Sequence, residues 1–471
     1  MFAAPVAPVA AHYLLVFLLQ VSILLLLALL LGRLATRFGM PAVVGELCTG
    51  VLLGPSLLDH VAPGVADWLL PKDAGQFHLL DAVGQIGVLL LVGITGTEIN
   101  FALVRRRGAT AARVSIGGFI VPLGLGVATG YLLPASFLAD EGDRTVFALF
   151  LGVAMCVSAI PVIAKTLMDM NLMHRNVGQL ILSAGMVDDV FGWLMLSVVS
   201  AMATTGLRVQ QVGLSLLYLL VVIGFAAFIG RPLVRSALRL AARSAEAGPI
   251  VATTVVIVLL GAAATHAMGL EAVFGAFVAG ILIGMCGRTI RDQTAIPGAV
   301  DAPIRDRVRS GVDLGRLAPL RTVVLGVLAP LFFATAGLRM DLTALGDPVV
   351  LAAAIVVLLI AILGKFAGAY IGARASRLTR WEALALGSGM NARGVIEVIV
   401  AMVGLQLGVL STAAYTVIVL VAIVTSLMAP PALRFTMRRV EHTAEEQLRQ
   451  RTPGEPDEDR PVVQGVQSED R

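Results

Sequence analysis

The sequence predicts an all-α polytopic membrane protein of about thirteen transmembrane helices, and three observations carry that reading. Apolar residues make up 58% of the 471 positions and charged residues only 14%, against about 25% charged in an ordinary soluble domain. The charges are uneven, because Arg438–Arg471 holds 15 of the 66, leaving too few elsewhere to coat a water-soluble surface. The apolar runs are long and continuous rather than alternating, which argues against a β-barrel. A soluble enzyme, a nucleic-acid binder and a secreted disulfide scaffold are thereby excluded. The three cysteines, Cys48, Cys156 and Cys286, read as small buried hydrophobes.

Thirteen segments account for the apolar sequence. The first, 13–33, ends at Arg33 and Arg37, and Met1–His12 ahead of it holds no Lys or Arg, so no cleaved signal peptide is expected. The second, 41–58, is short and Gly-rich, and Asp59, Asp67, Asp73 and Asp81 follow around a single Lys72. The third, 83–100, precedes Arg105, Arg106, Arg107 and Arg113; the fourth, 113–133, leads to Asp140, Glu141 and Asp143. The fifth, 145–168, is followed by Arg175, and the sixth runs 176–203. The seventh, 211–230, precedes Arg231, Arg235, Arg239 and Arg243. The eighth, 249–268, adjoins the short, Gly-rich ninth, 270–286, and arginines from Arg288 to Arg321 separate it from the tenth, 320–338. The eleventh, 348–373, precedes Arg374, Arg377 and Arg380; the twelfth, 382–406, and thirteenth, 410–432, complete the set. Most exceed the roughly 17 residues needed to span the hydrocarbon core.

Basic residues cluster after odd-numbered segments at every loop, while the other loops are poor in them and partly acidic. The positive-inside rule therefore predicts an outer N-terminus and a cytoplasmic C-terminus in the cell membrane. The polar stretch 437–471, with Pro453, Gly454 and Pro456, is expected to be a disordered cytoplasmic tail beyond a membrane domain of residues 1–436. It holds no Gly-rich nucleotide fingerprint, and no cofactor is expected.

The sharpest feature is Asp188-Asp189, near the centre of the sixth segment. Carboxylates at bilayer depth are costly and are rarely incidental. Adjacent helix positions point about 100° apart, so the pair can present oxygens to two sides of one cavity. A carboxylate deprived of water takes up either a proton or a hard monovalent cation, Na+ or K+. One site that holds either but not both is the minimum machinery of an antiporter. Lys365, one of three lysines with Lys72 and Lys165, lies inside the eleventh segment. It sits nine residues from Arg374, roughly 13 Å along a helix at 1.5 Å per residue, which is far to reach by snorkelling. A buried ammonium needs an anionic partner, and Asp188 is the natural candidate.

Two segments read as broken. The fifth holds Ser158, Ala159, Ile160 and Pro161, and proline inside a helix removes a donor and clashes with the preceding turn. The twelfth runs Gly387-Ser388-Gly389-Met390-Asn391-Ala392-Arg393-Gly394, a glycine-rich polar stretch at membrane depth. Exposed backbone there is tolerated only around a cavity or buried in protein, and freed helix ends help to form an ion site. Arg393 and Glu397, four apart, read as an ion pair that stabilises the second break. Glu46, Glu98 and Glu271 read as interfacial or structural. Two breaks seven segments apart fit inverted repeats, segments 4–6 with 11–13 and 1–3 with 8–10, joined by the seventh.

These stretches are similar to monovalent cation:proton antiporter family 2, close to Kef-type and plant CHX-type transporters and more distantly to NhaA and NapA. The matching runs are PAVVGELCTGVLLGPSLL at 41–58, GVLLLVGITGTEI at 87–99, SAIPVIAKTLMDMNLMHRNVGQLILSAGMVDDVFGW at 158–193, GLEAVFGAFVAGILIG at 269–284, APLFFATAGLRMDL at 329–342, GKFAG at 364–368 and GMNARGVIEVIV at 389–400. They cover nearly the whole membrane region. One departure is Gly96-Thr97-Glu98, where the family reads closer to GLE. The resemblance implies an inverted-repeat antiporter fold with two discontinuous crossing helices and a homodimer. It implies an elevator-like core (113–203 and 348–432), a dimerising scaffold (13–100 and 249–338) and a linker helix (211–230). It implies Asp189 as essential carrier, with Asp188 and Lys365 the pair associated with electrogenic members. The missing nucleotide-binding domain argues against Kef-type gating. Expected partners are protons, Na+ or K+ and the lipid bilayer. The rival readings are a channel, a sodium-coupled organic-anion symporter on the same fold, and an exporter of an ionophore or small metabolite.

Overall fold

The structure, a computed structural model, describes residues 10–293 and 313–441 apart from 71–73, 100, 141, 171, 174, 206–208 and 245. The expected tail after 441 lies outside the described residues. The regular elements among the described residues are all helices, with one isolated antiparallel bridge between Leu138 and Leu410. In chain order the principal helices are α1 (Ala11–Arg37), α2 (Ala42–Leu53), α3 (Ala74–Glu98), α4 (Phe101–Leu132), α5 (Arg144–Cys156), α6 (Ile160–Asp169), α7 (Asn176–Thr205), α8 (Val209–Phe225), α9 (Arg231–Ala241), α10 (Gly248–Ala267), α11 (Ala272–Gln293), α12 (Ala329–Leu338), α13 (Pro348–Ala375), α14 (Arg380–Met390), α15 (Val395–Gln406) and α16 (Thr412–Met437).

Among the described residues, ten helical spans are long and apolar enough to cross a membrane, or eleven if the bent pair α14–α15 counts as one. The expected thirteen is therefore not reached by this measure. The fifth segment is split into α5 and α6, each too short alone, and the ninth has an apolar part of only Ala272–Gly287. Two boundaries also differ from expectation. α4 begins at Phe101, so its arginines lie on helical backbone ahead of a non-helical Gly108. The seventh segment does not end at 230: a π turn, Ala226–Gly230, carries α8 into α9. Arg231, Arg235 and Arg239 share one face of α9, while Val234 and Leu238 are buried on the other. That amphipathic pattern continues a helix where a charge count suggests a loop.

Several helix starts are fixed by local side chains. Asp143 accepts from Thr145 N–H at 2.7 Å and Val146 N–H at 3.1 Å to open α5. Thr379 and Glu382 form a capping box at α14, and Asp347 with Pro348 opens α13. Each satisfies amides that a helix end leaves unpaired.

Two sets of helices pack mainly within themselves. One comprises α1–α3 and α10–α12, the other α4–α7 and α13–α16. Large apolar side chains such as Leu18, Leu26, Leu359 and Leu363 point outward and are exposed, as expected where the solvent is lipid. In the second set α4 and α13 cross at small residues. A Cβ on Gly368 would lie 2.2 Å from Gly117 O, and one on Gly117 would lie 2.4 Å from Gly368 O. Close approach of this kind is how membrane helices gain packing energy. Gly368 is three residues from Lys365 on α13, so Gly368→Ala should push the helices apart and lower stability by about 1–3 kcal/mol. Thermal unfolding in detergent measures this, and an unchanged midpoint would contradict the tight crossing.

Candidate ion-binding site

Asp188 and Asp189 lie mid-way along α7, and both are 0% exposed. Asp188 is surrounded by donors. Lys365 on α13 places Nζ 2.5 Å from Asp188 Oδ2. Ser115 on α4 donates to Oδ1 at 2.6 Å, and the Ser158 hydroxyl is 3.2 Å from Oδ2. Lys365 Nζ also donates to Cys156 O at 2.5 Å. Asp189, about 100° round the helix, has neither carboxylate oxygen hydrogen-bonded among the described residues. Adjacent carboxylates thus have opposite surroundings: Asp188 is engaged by three donors, and Asp189 is buried with both oxygens unpartnered among the described residues.

α5 stops at Cys156, and Val157 (φ −82°, ψ 146°) and Ala159 (φ −108°, ψ 97°) are extended before α6 begins. Pro161 stands in the first turn of α6, a favourable place for proline. A helix continued across the break would set its ring against the Val157 carbonyl four residues back, which fixes where the interruption falls. Ile160 and Pro161 thus belong to α6 rather than to the extended backbone. In the second break Gly387–Met390 remain helical, and the interruption is Asn391–Gly394, with α14 and α15 bent by 44°. The two breaks meet. Ala159 N–H donates to Ala392 O at 3.0 Å, and the Ser158 hydroxyl is 2.9 Å from Met390 O. Irregular backbone at this depth is therefore satisfied by irregular backbone.

Arg393 is fully buried. It donates to Ala154 O at 3.2 Å and to Ala361 O at 2.8 Å, while Glu397 Oε1 stands 3.5 Å away. Lys365 and Arg393 together place two cations on the terminal carbonyls of α5, where a helix end is partially negative. Ser426 donates to Arg393 O and fastens the second break to α16. Among the described residues neither side-chain polar atom of Asn391, both buried, has a hydrogen-bond partner.

Glu98 pairs with Arg321 at 2.7 Å at the end of α3, away from the breaks. Glu46 is buried in α2. Among the described residues no cluster of three or more His, Cys, Asp or Glu could hold a metal ion. Asp189 and Asn391 supply free hard oxygens of the kind that suits a non-transition cation. Sequence reasoning missed Ser115, a lone hydroxyl in an apolar helix, and the carbonyls of Cys156 and Ala154, which no residue type advertises.

Two interrupted helices meeting beside buried charges mark a membrane transporter rather than an enzyme. Residues 23–439 match the family model described as sodium/hydrogen exchanger, transmembrane, and the chain belongs to that family. It is 31% identical to the Na+/H+ antiporter NhaS4 of Synechocystis over 89% of this chain and 96% of that protein. It is 26% identical to the Na+/H+-K+ antiporter GerN of Bacillus cereus, covering 89% of this chain and 96% of that protein. It spans about half of Arabidopsis thaliana cation/H+ antiporter 19, at 28% identity over 88% of this chain and 48% of that protein. The fold is similar to that of the sodium proton antiporter MjNhaP1 from Methanocaldococcus jannaschii at pH 8, with TM-score 0.65, 15% identity and coverage of 90% and 99%.

Proposed function

We propose that the protein exchanges a monovalent cation, sodium or potassium, for protons across the cell membrane, with Asp189 as the carrier. The carrying observation is that Asp189 is buried with both oxygens free, while Asp188 beside it is held by Lys365, Ser115 and Ser158. A bare charge without partners is expensive in apolar surroundings, so Asp189 is occupied by a proton or by a cation in turn. Names of relatives from Synechocystis and Bacillus cereus support sodium, and the latter also potassium.

In the proton-loaded state Lys365 pairs with Asp188. A cation entering between the carboxylates displaces the ammonium, which sheds its proton while Asp189 sheds its own. Two protons then exchange for one cation, and each cycle moves net charge. Helices of 113–203 and 348–432 form the moving core. Those of 13–100 and 249–338 form a scaffold that also makes a homodimer, with 211–230 between them. The separate packing of the two helix sets supports this division. The N-terminus is outside and the C-terminus cytoplasmic, following the loop charges.

The test is proton flux in reconstituted liposomes, with sodium or potassium added alone. Cation-dependent flux is expected with at least one of them, and none with either would contradict the reading. A second measurement addresses the first break. Pro161→Ala removes the obstacle to helix across Val157 and should raise the apparent KM for the cation without altering any charge. An unchanged KM would show that the interruption is not part of the ion site.

A further inference from the structure

α7 carries a line of polar side chains on one side. Asp189, Trp193, Ser197 and Ser200 are spaced four, four and three residues apart, which places them on one helix face. All four are at least 97% buried. Among the described residues the Asp189 oxygens, Trp193 Nε1, Ser197 Oγ and Ser200 Oγ have no hydrogen-bond partner. Other hydroxyls of α7 return to the carbonyl one turn back: Ser183 donates to Gln179 O at 2.7 Å and Thr204 to Ser200 O at 3.2 Å. Ser197 and Ser200 do not. A buried indole N–H also usually finds an acceptor. Buried polar atoms left unpaired by protein are where internal water sits.

At Ser200 the line comes beside Glu271, a wall residue of a cavity. The Trp193 ring packs on Phe277 of α11, with centroids 5.9 Å apart. Ser200 lies seven residues beyond Trp193 on α7, and Glu271 six residues before Phe277, roughly 10 Å along each helix. Ser200 and His266 lie close enough to Glu271 to act on its carboxyl group. Glu271 and His266 line a cavity of about 340 Å³ with Asp81, Gln85, Thr335 and Gln406. Asp81 is already engaged by Arg339 at 2.6 Å, which leaves Glu271 as the wall carboxylate without an ion pair to arginine or lysine among the described residues.

We infer that the Asp189–Trp193–Ser197–Ser200 face of α7 lines a water-filled route between Asp189 and this cavity, and that Glu271 gathers cations at its mouth. The inference rests on the proposed carrier role of Asp189. Hydroxyl and carboxylate oxygens replace part of a monovalent cation's hydration along the way, and a carboxylate in a recessed, low-dielectric wall concentrates cations there. The cavity faces the outside in the proposed orientation.

Single Ser197→Cys and Ser200→Cys variants test the route, made in protein whose Cys48, Cys156 and Cys286 are replaced by Ala and reconstituted into liposomes. A membrane-impermeant cationic thiosulfonate should label both from the Glu271 side, while Val199→Cys, buried about 100° round the helix from Ser200, stays unlabelled. Absence of labelling at both serine positions in exchange-active protein would overturn the route. Labelling in protein whose exchange survives Asp189→Asn would uphold the route and discard the carrier reading, so the two failures are distinguishable. A second variant needs no cysteine. Glu271→Gln should raise several-fold the apparent KM for cation presented from that side, and an unchanged KM would remove Glu271 from the mouth.

Discussion

Asp189→Asn is expected to reduce cation-driven proton flux to the level of protein-free liposomes while the protein stays inserted and folded. Asn keeps the size of the side chain and most of its hydrogen-bonding capacity but cannot exchange a proton or neutralise a cation. Among the described residues the Asp189 carboxylate makes no hydrogen bond, so its replacement breaks none there. Thermal stability should therefore be unchanged or higher, because a buried group that must be neutralised has been removed. The contrast between full loss of flux and retained stability separates a carrier from a structural residue. Measurable flux in the variant would remove Asp189 from the mechanism.

Lys365→Gln should act on stability and transport together. The ammonium is fully buried, and its loss leaves Asp188 facing only the hydroxyls of Ser115 and Ser158. Breaking a buried pair from one side costs about 3–5 kcal/mol, because the orphaned charge keeps its desolvation penalty. The deficit should grow as pH rises, since Asp188 then carries the uncompensated charge, and should shrink as pH falls and the carboxylate protonates. Asp188→Asn in the same chain should recover most of the loss at high pH. Thermal unfolding of the unmodified protein and the two variants across pH checks this. A pH-independent deficit, or no recovery in the double variant, would mean that the pair does not act as described. Transport gives a second reading of the same residue. If the lysine supplies the second proton of each cycle, an imposed potential drives flux at about 2.3 kcal/mol per charge per 100 mV, and Lys365→Gln weakens that response. Flux in the unmodified protein that ignores the potential would mean one-for-one exchange.

The elements most legible in the sequence are those where membrane chemistry forbids accidents. Asp188, Asp189 and Lys365 stand out because charges at bilayer depth are costly, and Pro161 marks the first break through a steric clash that any chain would suffer. The second break is blurred in sequence, where Gly387-Ser388-Gly389 suggests an interruption that starts at Asn391 instead. Those glycines serve close packing against α13 and α7 rather than a break: a Cβ on Gly387 would meet Phe366, and one on Gly389 would meet Ile181. The contact between the breaks, Ala159 to Ala392, is invisible in sequence because it joins two backbones. The same holds for the Cys156 and Ala154 carbonyls that receive Lys365 and Arg393. The α8–α9 junction misleads for the opposite reason: arginines that look like a loop ride on one face of a continuing helix.

The most direct test is the number of protons released when a cation binds to purified protein in weakly buffered detergent solution, followed with a pH indicator dye as sodium or potassium is added. A site that holds either a proton or a cation must release at least one proton per cation bound, and Asp189→Asn should abolish that release. Saturable cation binding with no proton release from the unmodified protein would contradict competition for Asp189.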